Sequence, residues 1–347
     1  MHLEIIMKLS QAILLTSITL PVYAGQWQAL PDTPPIPKDN PQTEAKIELG
    51  KTLYFDPRLS STGTISCNSC HNVMASGDDS RPVSVGVEGQ KGGRSAPTVF
   101  NSAFLSVQFW DGRVPTLEAQ AKGPVTNPIE MGMKDWDVVM KRLKSISGYT
   151  PMFKAAFGGK KPMTADNTAK AIAAYERTLI TPNSSYDRYV KGDKTALTKR
   201  QLKGMNSFAK LGCTACHSGP NFSGPNMPTG TGWFMKFPTF TGSEYEKKYR
   251  LMEDKGRFEA TKKEADKHMW RVPTLRNIAL TAPYFHNGAV KTLDEAVRVM
   301  AKTQLNKDLS DGQVRNLVAF LKALTGKIPE QTMPRLPGIE GMSLVSE

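Results

Sequence analysis

The sequence predicts a mostly α protein made of two similarly built domains in tandem. Three observations carry that expectation. The pattern Cys-x-x-Cys-His occurs twice, as Cys67-Asn68-Ser69-Cys70-His71 and as Cys213-Thr214-Ala215-Cys216-His217. Apolar residues recur at helical spacing before each copy and again after it, while strand patterns are sparse. The chain has 347 residues, enough for two modest cores, and a stretch of similar size follows each copy.

Residues 1–24 read as a secretory leader. Lys8 makes a thin positive start, Ala12 to Leu20 a short apolar run, and Val22-Tyr23-Ala24 a small-residue cleavage site. The run is too short for a comfortable membrane span, and no later segment comes near one. Residues 25–41 are Pro-rich and read as an extended lead-in. From Thr43 to Phe55, the residues Ile47, Leu49, Leu53 and Tyr54 fall at helical spacing, closed by Asp56-Pro57. After His71 a Gly-rich loop runs from Gly77 to Gly93, of a length more often functional than idle. Helices are expected over Asp135 to Ile146 and Ala165 to Leu179. From Pro182 to Lys194 the composition turns polar, which sets a domain boundary between 42–187 and 188–335, with a tail at 336–347. In the second domain Leu202, Met205 and Phe208 mark a helix leading into Cys213. A Gly/Pro-rich loop spans 218–240, and a charged stretch spans 244–267. Thr292-Leu293-Asp294-Glu295 is a capping box opening the helix that carries Met300. Ser310 to Gln313 opens another, with Val314, Leu317, Val318 and Leu321 on one face and Gly326 beyond its end.

Cys-x-x-Cys-His is the signature of covalent c-type haem attachment. Both thiols add to the haem vinyl groups, and one turn of chain lays them along one porphyrin edge. The following His brings a neutral imidazole under the iron. A zinc half-site and a thioredoxin-like redox pair are the competing readings. The first is disfavoured because the two Cys pairs lie far apart, the second because a redox pair has no use for the His. The fold class is therefore two tandem cytochrome c-like domains, each carrying one covalent haem. The four cysteines are all used by the motifs, so no disulfide framework remains. Export to the periplasm agrees with the cofactor, which bacteria attach outside the cytoplasm.

The formal net charge is +13. No arginine-rich or aromatic-interleaved run accompanies it, so nucleic acid is not the expected partner. A basic surface that docks a soluble redox partner accounts for the charge more simply.

The chain resembles the bacterial dihaem cytochrome c peroxidases. The resemblance rests on the two haem motifs and on runs between them. In the first half these are Ala96-Pro97-Thr98-Val99-Phe100-Asn101, Gln108-Phe109-Trp110-Asp111-Gly112-Arg113, Gln120-Ala121-Lys122-Gly123-Pro124 and Ile129-Glu130-Met131. In the second they are Val272-Pro273-Thr274-Leu275-Arg276-Asn277 and Pro283-Tyr284-Phe285-His286-Asn287-Gly288-Ala289-Val290. It covers residues 40–330. It implies that the C-terminal haem receives electrons at high potential, with His217 and Met300 as axial ligands; a thioether ligand raises the potential. Without the resemblance, Met300 reads as a core residue filling a gap. The N-terminal haem is implied to reduce peroxide, with His71 as proximal ligand. Glu130 would move a proton between the peroxide oxygens and Gln120 would orient them. Trp110 would bridge the haems for electrons. The bland alternatives are a solvated carboxylate for Glu130 and an interface-filling aromatic for Trp110.

Two departures from the family pattern stand out. Many members carry a loop His that caps the peroxidatic iron when the protein is fully oxidised. In Ser84-Val85-Gly86-Val87-Glu88-Gly89 that position is Val87, which cannot ligate iron, and no other loop His exists; Glu88 and Lys91 are the neighbours able to substitute. An iron open without reductive activation is expected. The family also holds a calcium ion between its domains. Its carbonyl donors correspond to Thr281 and Pro283, and its side-chain donor to Ser95, a weaker ligand than an amide.

The expected activity is reduction of hydrogen peroxide to water with electrons from a small reduced cytochrome c or cupredoxin, in a chain of a family that often forms homodimers. Two other functions compete: oxidative modification of a partner protein by dihaem chemistry, and non-catalytic electron carriage. Met300, where the protein-modifying relatives place Tyr, speaks against the first. Glu130 and Gln120 beside an uncapped haem speak against the second. The charged stretch 244–268 matches nothing in the family pattern and is expected to be a surface excursion that shapes the donor's docking site.

Overall fold

The computed structural model describes residues 27–338. The expected leader lies outside the described residues, as does the tail from 339 onward. The first half holds α1 (Glu44–Phe55), the single turn α2 (Cys67–Cys70), α3 (Leu117–Thr126), α4 (Trp136–Ser145), α5 (Tyr149–Phe157) and α6 (Ala165–Glu176). The second holds α7 (Ser185–Val190), α8 (Lys199–Leu211), α9 (Glu244–Lys248), α10 (Phe258–Thr261), α11 (Leu293–Leu305) and α12 (Asp311–Ala323). Among the described residues one antiparallel pair, β1 (Phe234–Lys236) with β2 (Met269–Arg271), makes the only sheet, Met235 facing Trp270. The chain is helix-rich, as its periodicity predicts.

Helix starts follow their caps. Thr43, Thr116, Asp135, Thr164, Thr198, Thr292 and Ser310 each accept a backbone N–H of the first turn through a side-chain oxygen. The capping box expected at Thr292 is only half formed. Glu295 does not return to the cap, because its Oε1 accepts from Tyr249 Oη at 2.5 Å and Lys248 Nζ at 3.0 Å. The expected Ala165–Leu179 helix stops at Glu176. Two helices were not legible. α3 contains Gly123-Pro124, residues that argue against a helix, and α5 starts at Gly148 with no capping side chain.

Two buried clusters form. The first gathers Leu49, Leu53, Tyr54, Phe100, Leu143, Phe153, Ile172 and Tyr175 among others, the second Tyr186, Phe208, Phe222, Val299, Leu317 and Phe320. Each is built on one close helix crossing, α1 on α6 and α8 on α12. A Cβ on Gly50 would stand 1.9 Å from the Ala171 carbonyl oxygen, and one on Gly204 would stand 1.9 Å from that of Asn316. Only glycine allows backbones this near.

The halves repeat each other beyond the haem motifs. Asn101 and Asn277 both sit in left-handed conformation ahead of a short 3-10 turn. Both side-chain amides donate to the same Thr181 Oγ1, at 2.8 and 2.9 Å. Across the seam the Ser95 N–H donates to the His286 carbonyl at 2.7 Å, and the Arg271 N–H donates to the Trp110 carbonyl at 3.0 Å. These reciprocal bonds lock the two halves together.

The chain ends exchange sides. Trp27, in the expected lead-in, packs against Tyr186, Phe208, Phe222 and Phe320 of the second cluster. Residues after α12 return to the first, where Gln331 accepts from Tyr175 Oη and the Pro337 carbonyl accepts from Arg58. Tyr186 and Asp187, expected before the boundary, belong to the second cluster. There the fully buried Arg276–Asp187 pair, 2.9 Å apart, is completed by Leu30 N, Ser184 and the Pro220 carbonyl. A buried pair of this kind is tolerated because every polar atom has a partner.

The charged stretch 244–268 does not stand away from the body. Leu251 is fully buried, Asp254 binds Arg94 at 2.7 Å, and Arg257 donates to the Asp111 carbonyl at 2.8 Å. It straps the second half to the first.

Candidate active site

α8 ends at Gly212 in left-handed conformation, and the chain turns at once into Cys213–Ala215. His217 closes that turn by donating its N–H to the Cys213 carbonyl at 3.0 Å. Its Nδ1 lies 3.0 Å from the Phe222 carbonyl. A carbonyl only accepts, so Nδ1 carries the proton and Nε2 keeps its lone pair for a metal. Burial lowers the imidazole pKa, so the ring is neutral. Cys213, His217 and Met300 line one cleft, walled by Phe208, Leu275 and Leu317. The Cys213 thiol, a neutral imidazole and a thioether around an apolar slot, with Cys216 three residues on in the same turn, suit a covalently attached haem.

The first half repeats the arrangement. α2 spans the two thiols, and His71 N–H donates to the Cys67 carbonyl at 2.9 Å. His71 Nδ1 lies 2.9 Å from the Pro97 carbonyl, and its ring too is kept neutral by burial. Tyr54 Oη donates to the His71 carbonyl at 2.7 Å.

The far side differs. Thr116 caps α3 as Thr292 caps α11, and the same number of residues beyond the cap stand Pro124 and Met300. Pro124 has no ligating atom and no N–H for the Gln120 carbonyl, and α3 ends at Thr126. The chain then turns through Asn127 to present Glu130. Asn127 Nδ2 donates to Glu130 Oε1 at 2.8 Å. Burial pushes the Glu130 carboxyl up, while the Arg113 charge and the Asn127 bond pull it back. Gln120, half-buried on α3, has no protein partner for its amide among the described residues. Val87 is buried at 3% exposure, its N–H on the Glu130 carbonyl at 3.0 Å, whereas Glu88 and Lys91 are exposed. A Cβ on Gly86 would strike the Ile129 carbonyl at 1.9 Å, so the loop is closed down on the segment that carries Glu130.

The family model described as "Di-haem cytochrome c peroxidase" matches residues 44–195. Cytochrome c551 peroxidase of Pseudomonas aeruginosa is 46% identical over 86% of this chain and 84% of its own. The chain belongs to the di-haem cytochrome c peroxidase family. Cytochrome c551 peroxidase of Nitrosomonas europaea is 43% identical over 90% of each chain. The crystal structure of a MauG-like protein associated with microbial copper homeostasis superposes with a TM-score of 0.75 at 31% identity, covering 86% of this chain and 95% of that one. Membership in this peroxidase family makes the protein an oxidoreductase and implies two haem c groups, for which the two motifs are the attachment points. Among the described residues no helix is long and apolar enough to cross a membrane.

Several residues near the two haem motifs escaped sequence reasoning. The cleft below Met300 runs on to Ser95, Thr281 and Pro283, and there it meets Asp78, a carboxylate 4% exposed that accepts from the Ser76 hydroxyl. The Ser95 hydroxyl donates to the Arg81 carbonyl at 3.4 Å. Behind Cys67 lies Glu176, whose carboxyl burial raises to about 8. Trp110 lines the same cleft and donates from Nε1 to the Ser95 carbonyl at 2.9 Å. Pro124, Asp78 and Glu176 carry no motif of their own; only their positions reveal them.

Proposed function

We propose that this chain reduces hydrogen peroxide to water at its N-terminal haem with electrons that enter at the C-terminal haem, and that it does so without prior reductive activation. The observation that carries the reading is the contrast between Met300 and Pro124 at equivalent helix positions. One half would offer the Met300 thioether to its haem, and the other would leave that side open beside Glu130. When bound, the haems supply the iron that holds peroxide and the redox capacity that cleaves it. The half built on the first cluster would form the peroxidatic domain, and the half built on the second, with Tyr186 and Asp187, the electron-receiving one.

Glu130, as carboxylate, takes the proton from one peroxide oxygen and returns it to the other, so that water leaves. Desolvation makes it a stronger base than an exposed carboxylate, which suits this task. The Gln120 amide, free of protein partners, orients the peroxide. Trp110, between the two halves, passes electrons from the side of His217 and Met300 to that of His71. Val87 leaves no imidazole in the loop to close the iron in the oxidised state. The donor is a small reduced cytochrome c or cupredoxin, the leader directs the chain to the periplasm, and homodimerisation follows the family's habit. A calcium ion between the halves would take the carbonyls of Thr281 and Pro283. Ser95 would be its side-chain donor, and the buried Asp78 carboxylate on the same cleft would add a charged one.

The test is to mix the fully oxidised protein with one equivalent of hydrogen peroxide, follow the haem spectrum over seconds, and then add reduced cytochrome c. A prompt spectral change discharged by the donor is expected. A change that requires prior reduction of the second haem overturns the open-site reading, and no change in either state overturns the peroxidase reading.

A further inference from the structure

Trp110 does not stand alone. Its ring meets Trp270 edge to face, with centroids 6.5 Å apart and planes at 86°. Trp270 in turn lies nearly parallel to His286, at 4.2 Å and 21°. Trp270 is 5% exposed and His286 3%. Neither Trp270 Nε1 nor His286 Nε2 has a hydrogen-bond partner among the described residues, in an interior where buried polar atoms are ordinarily paired. Packing alone does not account for this, since Phe or Leu fills an interface without leaving an indole N–H unpaired.

The three rings are held rigidly. The reciprocal backbone bonds of Ser95 with His286 and of Arg271 with Trp110 fix their segments, and β1 pairs with the strand that carries Trp270. The 244–268 strap covers Trp270, with Gly256 so near that a Cβ there would lie 3.0 Å from the indole. Arg94 places its guanidinium 4.9 Å over the Trp270 ring. A cation there makes electron loss harder, but Arg94 is itself paired with Asp254 at 2.7 Å and with Asp111 at 2.6 Å, the latter shared with Arg113 at 3.0 Å, so its charge is offset by carboxylates. Burial lowers the His286 pKa to about 4, which leaves a neutral ring on the other face.

We infer that Trp270 and Trp110 form one redox unit, in which Trp270 acts through Trp110 to lend an electron to the oxidised site after peroxide cleavage and recovers it from the external donor. The inference rests on the proposed role of Trp110 as the bridge. One electron leaves the indole π system and reduces the site by one equivalent; no bond breaks. The proton stays on Trp270 Nε1, which has no acceptor among the described residues, and on Trp110 Nε1, whose acceptor is a weakly basic carbonyl, so the oxidised pair is a radical cation, and one electron from the reduced cytochrome restores it. Sharing the charge between two rings, shielded from water by the strap, prolongs its life.

The experiment uses the oxidised holoenzyme with ring-deuterated tryptophan, freeze-quenched after one equivalent of peroxide, and electron paramagnetic and electron–nuclear double resonance. Expected are an organic radical narrowed by deuteration, spin density on two inequivalent indoles, and an approximately tenfold shorter lifetime in Trp270→Phe. Spin density on one indole, or a Trp270→Phe signal and lifetime like the parent's, overturns the proposal. The double-resonance arm needs no variant, so it decides even where Trp270→Phe folds poorly. If Trp110→Phe turns over peroxide as fast as the parent, the bridge reading fails. If Trp110→Phe is slow while Trp270→Phe leaves the signal unchanged, the bridge stands and the pair does not.

Discussion

Pro124 and Met300 occupy the same position in two equivalent helices, each counted from the threonine that caps its own helix. The scaffold around them matches: Pro97 with Pro273, Asn101 with Asn277, and positive-φ Phe109 with Phe285. One fold thus carries a thioether at one of these positions and no ligating atom at the other. Pro124→Met is expected to supply a thioether to the open face. The high-spin signal of the oxidised protein should become low-spin, and peroxide turnover should fall at least about a hundredfold. Electron paramagnetic resonance together with steady-state kinetics checks both. Unchanged spin state and turnover would show that the two positions are not equivalent in their reach.

As the proposed base, Glu130 would work only when ionised. Burial raises its pKa, so peroxidase activity is lost as pH falls through a value above the usual carboxylate range. Glu130→Gln should lower kcat by about 10²–10⁴-fold and abolish that acidic limb. A pH–rate profile of both proteins with haem content verified is the check. An acidic limb that survives in the variant assigns it to another group.

Asp78 is expected to carry the calcium response. At free calcium about a hundredfold above Kd, the parent should gain about 2.7 kcal/mol of stability by mass action. Asp78→Ala should lose the gain and Ser95→Ala should keep most of it, measured as calcium-dependent shifts in Tm. Loss in Ser95→Ala alone would return the site to the simpler ligand set.

Gly204 marks the crossing of α8 on α12, where a Cβ meets the Asn316 carbonyl. Gly204→Ala should destabilise by about 1–3 kcal/mol through overpacking, read as a lower urea midpoint with an unchanged slope. The equivalent Gly50→Ala should behave alike, because its Cβ meets Ala171 at the same separation. A neutral effect at both would mean that the helices part without cost.

Function in the chain of sequence was legible where chemistry is local. Cys67, Cys70 and His71 must be adjacent to grip one haem edge, so they read directly, as do Cys213, Cys216 and His217. Most long helices were legible too, because their apolar period and caps lie within one segment. α3 was not, because the Gly123-Pro124 pair reads as a breaker while tertiary packing of Leu117, Ala121 and Val125 sustains the helix. The strap at 244–268 read as a solvated excursion, since its charges outnumber the apolar residues; yet Leu251, Asp254 and Arg257 each find partners far away in sequence.

The sequence by itself determined the two haem attachment points, the helical class, and the lack of any imidazole in the loop 77–93. These depend on residue type and short spacing, which the unfolded chain already contains. Only the tertiary structure decided that Pro124 mirrors Met300, that Asp78 joins Thr281 and Pro283, and that Trp270 stands behind Trp110. Each of these unites residues from distant segments, and it is the crossing of two halves through Thr181 and the exchanged chain ends that brings them within reach.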